Sequence, residues 1–463
     1  MLALVLLAGS ASHSDPVVPV LLALVFLTLG AVVGGRLMTL AKQPAVLGEL
    51  LVGVIAGNLG YWLGSAGLTV LREGDNLRKI SDLALTSSST VAQAVYQVLP
   101  PQEAARIAAS LSSPRSLDYL AVYSFVDFLS RIAILVLLFL VGLETSFVAM
   151  KRVGKTALVV AVIGILVPLG LGLVTMKLLH PRSDFASDLF IGGILTATSV
   201  GITARVLRDL GQENRDESRV ILGAAVVDDV LSLIVLAVVS GLAVTGRVNP
   251  LEMGRIILVA ALFLAGSLGI GIWLTPKLVR RLSGAGIQNL KLLFGLGFAF
   301  LLAWLANAAG LATIIGAFAA GMILNDFFDK ELQGESLHHL LSPVESLIVP
   351  LFFVWMGIQV KLEALGTRDI LISGLALTVV AIVGKLASGF GCPAPMNRWA
   401  VGFGMMPRGE VGLIFAGIGR GIGVVDDGLF SAIVILVMIT TLLAPICLRL
   451  TLGQGALPAE RPA

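Results

Sequence analysis

Long apolar runs separated by short polar stretches occupy almost the whole chain. A helix that crosses a bilayer needs about 20 mainly apolar residues, and charges, prolines and glycine clusters bound about thirteen such runs. The runs are continuous and show no period of two, which excludes a transmembrane β-barrel. The pattern therefore predicts an all-α polytopic membrane protein with about 13 transmembrane helices. The predicted spans are 16–36, 44–63, 119–142, 156–178, 186–208, 218–245, 253–279, 289–307, 311–325, 341–360, 370–391, 398–420 and 427–449.

One long polar segment, residues 64–118, interrupts this pattern. It contains a cluster of charges, the string TSSST and the stretch PQEAARIAASL, which is typical of a helix. The segment is too polar to span a bilayer, and we expect it on the extracytoplasmic side.

An internal repeat predicts the architecture. The second and ninth spans share a glycine pair, and the third and tenth spans end alike. An offset of seven spans is odd, so the two copies have opposite orientations and form two inverted five-helix repeats, spans 2–6 and 9–13. The glycine pairs are Gly48 with Gly53 and Gly316 with Gly321, and the matching ends are FLVGLE at 139–144 and FVWMGIQ at 353–359.

The fifth and twelfth spans correspond in this repeat, and both are poor candidates for unbroken helices. The fifth reads IGGILTATSVGIT at 191–203, and the twelfth reads GFGMMPRGEVG at 402–412. Backbone groups freed in the middle of a membrane must line a cavity or be buried in protein. Crossed discontinuous helices in the two halves indicate a substrate site. The alternative is that glycine and threonine only permit close helix packing.

Composition supports the membrane interpretation. Charged residues make up 13% of the chain, hydrophobic residues 57%, and the mean hydropathy is +0.97, which excludes a soluble or disordered protein. The net charge of +3 is spread between the apolar runs, so no nucleic-acid surface is indicated. Cys392 and Cys447 match no metal-ligand spacing and no disulfide framework.

Lysine and arginine in the loops predict the orientation. With the N-terminus outside, the inner connections hold 17 of these residues and the short outer loops about seven. The first fifteen residues contain no basic residue, so an extracytoplasmic N-terminus is favoured over a cleaved signal peptide. The C-terminus is expected in the cytoplasm, without a soluble regulatory domain.

Two adjacent acids lie in the sixth span. Asp228 and Asp229 occur in GAAVVDDVLSLIVLAVV, and each ionised residue costs about 2.5–3.5 kcal/mol at the centre of a span. Neighbours on a helix project about 100° apart, so one acid can meet a protein partner while the other faces a cavity. The expected partner is Lys385 in the eleventh span, and the alternative for this lysine is snorkelling to the interface.

Other charged residues in the spans are expected to play supporting roles. Arg408 and Glu410 at the break of the twelfth span are expected to form a charged network within the bundle, and the same role is expected for Glu49 and Glu345. Three more are expected to be interfacial or pairing residues: Asp127, Arg131 and Glu144.

Two apparent motifs are misleading. Gly154-Lys155-Thr156 resembles the end of a phosphate-binding loop, but Ala149 stands where the loop needs a glycine, so no nucleotide site is predicted. His180, His338 and His339 are expected in loops without a ligand set, so no metal centre is predicted. The chain is therefore not expected to be an enzyme or an ATP-driven pump.

After these exclusions, the features that can carry function are a carboxylate pair, a lysine, hydroxyl groups and broken helices. Hard oxygen ligands suit a small alkali cation, and a carboxylate must lose its proton before it binds one. Competition between proton and cation for one site gives antiport.

Through seven sequence strings, the chain resembles the monovalent cation:proton antiporter superfamily. The resemblance is to the branch that contains bacterial sodium/proton exchangers and Kef-type potassium efflux systems. The Asp-Asp pair and the RGEVG segment are the most specific. The strings are PAVLGELLVGVIAGNLG (44–60), LLFLVGLE (137–144), TATSVGITARVLRDLG (196–211), RVILGAAVVDDVLSLIVLA (219–237), GAFAAGMILN (316–325), PLFFVWMGIQV (350–360) and MMPRGEVGLI (405–414).

The resemblance implies roles for five residues. Asp229 would carry proton and cation alternately, and Asp228 would pair with Lys385, whose ammonium can exchange protons itself. Thr198 and Ser199 would help line the site at the unwound helix. The two acids would thus bind Na+ as the metal ion, and no cofactor is expected.

The resemblance also implies a homodimer with a scaffold and a mobile core that moves like an elevator. The scaffold would be 1–142, with 64–118 as the extracytoplasmic excursion, and 289–360. The core would be 156–245 and 370–449, with 253–282 as the linker helix. Segment 64–118 departs from the compact pattern of the family. Potassium efflux relatives usually carry a cytosolic nucleotide-binding domain, which is not expected in this chain.

The predicted function is a secondary active antiporter that exchanges Na+ or Li+ for protons. Exchange is predicted to be electrogenic, in a prokaryotic plasma membrane or an internal thylakoid-type membrane. Potassium/proton antiport is the first alternative, and a sodium-coupled organic-anion symporter and a channel are less favoured.

Overall fold

The computed structural model describes residues 17–41, 43–86, 90–144, 154–210, 212, 215–245, 250–283, 290–325 and 335–452. Over these residues the chain forms α-helices, two short 3-10 helices and no β-strand. The predicted all-α fold is confirmed. The helices fall into two compact units, Met1–Ala133 with Ser346–Leu362 and Ile134–Glu345 with Glu363–Ala463.

Among the described residues, nine helices are long and apolar enough to cross a membrane, and four shorter apolar helices accompany them. Each predicted span contains one of these thirteen helices. The shorter ones correspond to the fifth, seventh, ninth and twelfth spans, so the number of complete crossings stays a prediction. The chain is an integral membrane protein.

The first unit contains two long helices and a cluster of short ones. Segment 64–118 forms four helices of 7 to 12 residues, each too short to cross a bilayer, and PQEAARIAASL is helical as predicted. The helices are α1 (Val17–Leu40), α2 (Ala45–Trp62), α3 (Ala66–Arg72), α4 (Asp75–Thr86), α5 (Val91–Val98), α6 (Pro101–Leu111), the first part of α7 (Ser116–Glu144) and the last part of α15 (Leu337–Ile358).

Buried polar contacts attach the short helices to the ends of α2 and α15. Lys361 Nζ lies 3.0 Å from Glu73 Oε2 and 2.6 Å from Glu103 Oε2. Arg72 donates to Asn58 Oδ1 at 2.9 Å, and the amide of Asn58 donates to the carbonyl oxygen of Val360. Lys361 is thus paired with two carboxylates, and these contacts stabilise the packing of the segment.

The second unit contains two helices that are interrupted near their middle. The fifth predicted span is split into α9 and α10, and the twelfth into α17 and α18. The helices are α8 (Lys155–Leu179), α9 (Phe185–Ile194), α10 (Val200–Asp209), α11 (Asp216–Thr245), α12 (Pro250–Ser283), α13 (Leu290–Ala308), α14 (Thr313–Asn325), α16 (Arg368–Ser388), α17 (Arg398–Gly404), α18 (Glu410–Gly421) and α19 (Asp427–Leu452).

The glycines of the sequence repeat mark close helix crossings. Gly53 of α2 packs against Gly357 of α15, and Gly321 of α14 packs against Gly142 of α7. In both crossings a Cβ on one glycine would overlap the backbone of the other helix. Gly53 corresponds to Gly321 in the repeat, and Gly357 to Gly142, so the same contact is made twice by corresponding residues.

The correspondence extends one helix beyond the predicted copies. Gly48 of α2 lies against the backbone of Gly34 in α1, and Gly316 of α14 lies against the backbone of Leu302 in α13. Small residues at these crossings let helix backbones approach closely, which is how helices associate in a membrane.

We expect Gly142→Ala to lower the melting temperature of the purified protein. The added methyl group would overlap the carbonyl oxygen of Phe318, and overpacking of this kind costs about 1–3 kcal/mol. The matched control is Gly170→Ala in α8, where a Cβ meets nothing within 4 Å and alanine favours the helix. Equal melting temperatures for the two variants would show that the crossing tolerates a side chain.

Candidate functional site

Each interrupted helix has an extended break of about five residues. α9 ends at Ile194 and α10 begins at Val200, while α17 ends at Gly404 and α18 begins at Glu410. Glycine, threonine and proline at the breaks disfavour a continuous helix and leave backbone groups without helical partners. Both breaks lie where the sequence predicts them.

The two breaks satisfy each other's backbone groups. The amide of Ser199 donates to the carbonyl oxygen of Pro407 at 2.9 Å. The hydroxyl of Thr203 donates to the carbonyl oxygen of Gly404 at 2.7 Å, and that of Thr198 to Met405 at 3.4 Å. Because the hydrogen bonds run between the breaks, the two interrupted helices cross there.

Arg408 is completely buried in the second break and also reaches the first. Its Nη1 donates to the carbonyl oxygen of Ala197, and its Nη2 lies 3.5 Å from the carbonyl oxygen of Ala381 in α16. The hydroxyl of Thr441 in α19 donates to the carbonyl oxygen of Arg408. Arg408 therefore brings a positive charge to the crossing while its guanidinium binds backbone carbonyls.

Asp228 and Lys385 form a fully buried ion pair. Lys385 Nζ lies 3.1 Å from Asp228 Oδ1, and both side chains are 0% exposed. Asp228 Oδ2 has no hydrogen-bond partner among the described residues, and Arg408 also interacts electrostatically with this carboxylate. The expected pairing is present, and Lys385 does not snorkel.

Asp229 occupies a different side of α11. It is 6% exposed, and it lies close enough to Lys385 for an electrostatic interaction. The site thus contains two acids, one ammonium and one guanidinium, and the hydroxyls of Thr198 and Ser199 lie at the adjacent break, both buried. This set offers hard oxygen ligands for a small cation beside a balanced group of charges.

Small residues on α8 and α16 make room for the lysine. A Cβ on Gly164 of α8 would lie 3.5 Å from Lys385 Nζ, so the ammonium packs directly against the backbone of α8. Gly384 of α16 packs against Pro168 at the same crossing. These contacts hold the lysine at the centre of the packed helices.

The other charged residues singled out from the sequence have separate surroundings. Glu49 is buried in α2 of the first unit. Glu345 lies in α15 and is half-buried. Glu410 begins α18, but its side chain lies outside the described residues, so the predicted network of Arg408 with Glu410 stays a prediction.

The expected pairing residues are paired. Arg131 Nε binds Asp127 Oδ2 at 2.8 Å within α7, and Glu144 lies 3.1 Å from His338. The prediction that His338 and His339 lie in loops is wrong, because both belong to the first turn of α15, where the helix begins earlier than the apolar run. Cys392 and Cys447 are both free.

Sequence reasoning missed two residues that support the site. Thr203 and Thr441 donate to backbone carbonyls at the breaks, but a threonine in an apolar helix usually donates to its own helix and gives no distinguishing signal. Thr203 could have been found because it follows the break in the same glycine- and threonine-rich string.

Crossed broken helices with buried carboxylate, ammonium and hydroxyl groups define an ion-coupled secondary transporter rather than an enzyme. Residues 20–453 match the family described as "Sodium/hydrogen exchanger, transmembrane". The chain belongs to the sodium/hydrogen exchanger family, a family of transporters that uses no cofactor.

Two curated bacterial relatives and one solved structure show the extent of the similarity. The chain is 34% identical over 455 residues to the high-affinity Na(+)/H(+) antiporter NhaS3 of Synechocystis, covering 96% of this chain and 92% of the relative. It is 35% identical over 335 residues to the Na(+)/H(+)-K(+) antiporter GerN of Bacillus cereus, covering 70% and 83%. The sodium proton antiporter MjNhaP1 of Methanocaldococcus jannaschii has the same fold, with a TM-score of 0.62, 16% identity and coverage of 95% and 99%.

Proposed function

We propose that the protein is a secondary active Na+/H+ antiporter in which sodium and protons compete for Asp229. The observation that carries the proposal is the buried Asp228–Lys385 pair beside Asp229, at the crossing of two broken helices. The relatives NhaS3 and GerN are both named as Na(+)/H(+) antiporters, which supports sodium as the cation.

The chemistry of the site gives each charged group a role. A carboxylate that coordinates sodium must be deprotonated, so sodium arrival at Asp229 releases a proton and proton arrival releases sodium. Thr198 and Ser199 would add neutral oxygen ligands at the break. Lys385 pairs with Asp228, and the ammonium can give up its own proton when the cation enters.

Alternating access would move the site past a scaffold, as in an elevator. The proposed mobile core comprises 156–245 and 370–449, with 253–282 as the linker helix, and the scaffold comprises 1–142 and 289–360. Support comes from the mutual packing of α8, α9 and α11 and from that of α8 and α19 with α16. The site residues all lie on the core helices, so they would move together.

The surroundings of the protein follow from its relatives and its charge pattern. Bacterial relatives support a prokaryotic plasma membrane, and an internal thylakoid-type membrane is the alternative. The lysine and arginine pattern of the loops supports an outer N-terminus and a cytoplasmic C-terminus. A homodimer is proposed from the family resemblance alone.

Potassium/proton antiport is the second candidate function, favoured by the name of GerN, a Na(+)/H(+)-K(+) antiporter. A channel would pass ions downhill without obligatory proton counterflow. A sodium-coupled organic-anion symporter would have no use for a lysine paired with the acids. The buried ion pair therefore favours antiport over the symporter, and proton counterflow distinguishes antiport from a channel.

We expect sodium and lithium, added to proteoliposomes with a trapped pH dye, to drive proton movement that responds to membrane voltage. If two protons exchange for one cation, each cycle moves one net charge, worth about 2.3 kcal/mol per 100 mV. In the same vesicles, a membrane potential is imposed with an ionophore that carries an ion the protein does not transport. Transport should speed up or slow down with its sign, and transport alone should generate a potential.

Three outcomes of this assay would contradict the proposal in different ways. Proton movement with potassium but not sodium would favour the second candidate. A proton flux that does not change with voltage would mean electroneutral exchange, and Lys385 would then not be one of the groups that carry charge in the cycle. Cation flux without proton movement would indicate a channel.

A further inference from the structure

A cavity lies in the second unit, at the end of α9 remote from the break. Its volume is about 510 Å³, and it is bounded by the end of α8, the beginning of α9, the beginning of α16 and the residues that precede α19. Asp188 and Ile191 line it from α9, His180 and Arg182 from the loop after α8, and Asp426 from the residues that precede α19.

Asp188 provides an unsatisfied anionic oxygen at this cavity. The residue is 0% exposed, and its Oδ1 accepts a hydrogen bond from Ser183 Oγ at 2.6 Å. Its Oδ2 has no hydrogen-bond partner among the described residues. A buried carboxylate oxygen without a partner is costly, so this position favours a positively charged or hydrogen-donating ligand.

The other polar groups of the wall leave this oxygen available. Asp426 Oδ1 accepts from the backbone amide of Leu429 at the start of α19. His180 Nε2 lies 2.8 Å from Ser373 Oγ, so the imidazole is already engaged. Arg182 is exposed to solvent. The cavity wall therefore combines two acids with the hydroxyl-bearing Ser183 and Ser187, and such oxygen ligands suit a hard cation.

We propose that this cavity binds a partly hydrated alkali metal cation, with Asp188 Oδ2 as its anionic ligand. One available carboxylate oxygen suits a monovalent ion, and the cavity volume leaves room for roughly 17 waters at about 30 Å³ each. Asp188 precedes the end of α9 by six residues, or about 9 Å of helix. The site is distinct from the Asp229 site and binds its cation whether or not transport follows.

The test measures how sodium changes the melting temperature when it replaces choline at constant ionic strength. Purified Asp229→Asn, which lacks the proposed transport carboxylate, should still gain about 2 °C at saturating sodium. Asp229→Asn combined with Asp188→Asn should lose this shift. The matched control combines Asp229→Asn with Asp369→Asn, which removes an exposed acid beside a wall residue of the cavity and should keep the shift.

The outcomes separate this site from the transport site. The second site would be overturned if sodium did not raise the melting temperature of Asp229→Asn, or raised it equally with and without Asp188→Asn. Asp188 would then be only a charged residue near the start of α9. Should the double variant fail to fold, Asp188→Glu in the same background keeps the charge but displaces it, and should raise the half-maximal sodium concentration several-fold. A shift retained in Asp229→Asn while the wild type exchanges no protons would refute the proposed antiport and leave this site standing.

Discussion

Asp229→Asn is expected to abolish cation-driven proton exchange in proteoliposomes while leaving the protein folded. The amide cannot trade a proton for a sodium ion, and it has nearly the same volume as the acid, so the packing of α11 is kept. Because the other acid of the pair, Asp228, is bound to Lys385, we expect the rate to fall below about one hundredth of the wild-type rate.

The matched control for this experiment is Asp216→Asn. Asp216 lies in the first turn of the same helix, 72% exposed, where it pairs with Arg219 at 3.5 Å. Its neutralisation should leave exchange nearly unchanged, since an exposed pair of this kind contributes little. Near-normal exchange by Asp229→Asn would remove Asp229 from the mechanism.

Asp228 and Lys385 should be strongly coupled in stability. Either single neutralisation, Asp228→Asn or Lys385→Gln, leaves its partner charged and unpaired in a fully buried position, at a cost of about 3–5 kcal/mol. Asp228→Asn should cost more, because it also removes a carboxylate that interacts electrostatically with Arg408. The double variant should be destabilised by less than the sum, and melting temperatures of the four proteins measure the difference.

The exposed pair Asp127 and Arg131 provides the comparison for this cycle. Its members lie four residues apart on α7, and such pairs couple by about 0.3–0.5 kcal/mol. A coupling energy between Asp228 and Lys385 no larger than that of the exposed pair would show that the 3.1 Å contact does not stabilise the protein.

The spans and the breaks could be predicted because they depend on local properties of the sequence. Continuous apolar length identifies a membrane helix, and glycine with proline at 402–412 identifies a helix that cannot continue. The glycine pairs were informative for the same reason, because each marks a crossing that a side chain would obstruct. These signals require no knowledge of the partner helix.

The contacts of Arg408 and Asp188 could not be predicted, since they depend on residues far away in the chain. The sequence predicts that Arg408 belongs to a charged network within the bundle but does not give its partners, and the structure shows that its guanidinium binds the carbonyl oxygens of Ala197 and Ala381. Asp188 stands near the start of a span, where an acid usually meets solvent, and only the packing around it shows that it is buried. By contrast, Lys385 and Asp228 were paired correctly because so few charges occur within spans.

The reciprocal hydrogen bonds of the two breaks have a consequence for biosynthesis. Thr203 and Thr198 bind carbonyl groups of residues that follow them by 201 and 207 positions. At synthesis rates of about 5–20 residues per second, the first break leaves the ribosome roughly 10–40 s before its partner exists. During that interval its polar backbone must be satisfied by water, by the insertion machinery or by a temporary continuous helix. The proposed ion site is therefore completed only after the second half of the chain has entered the membrane.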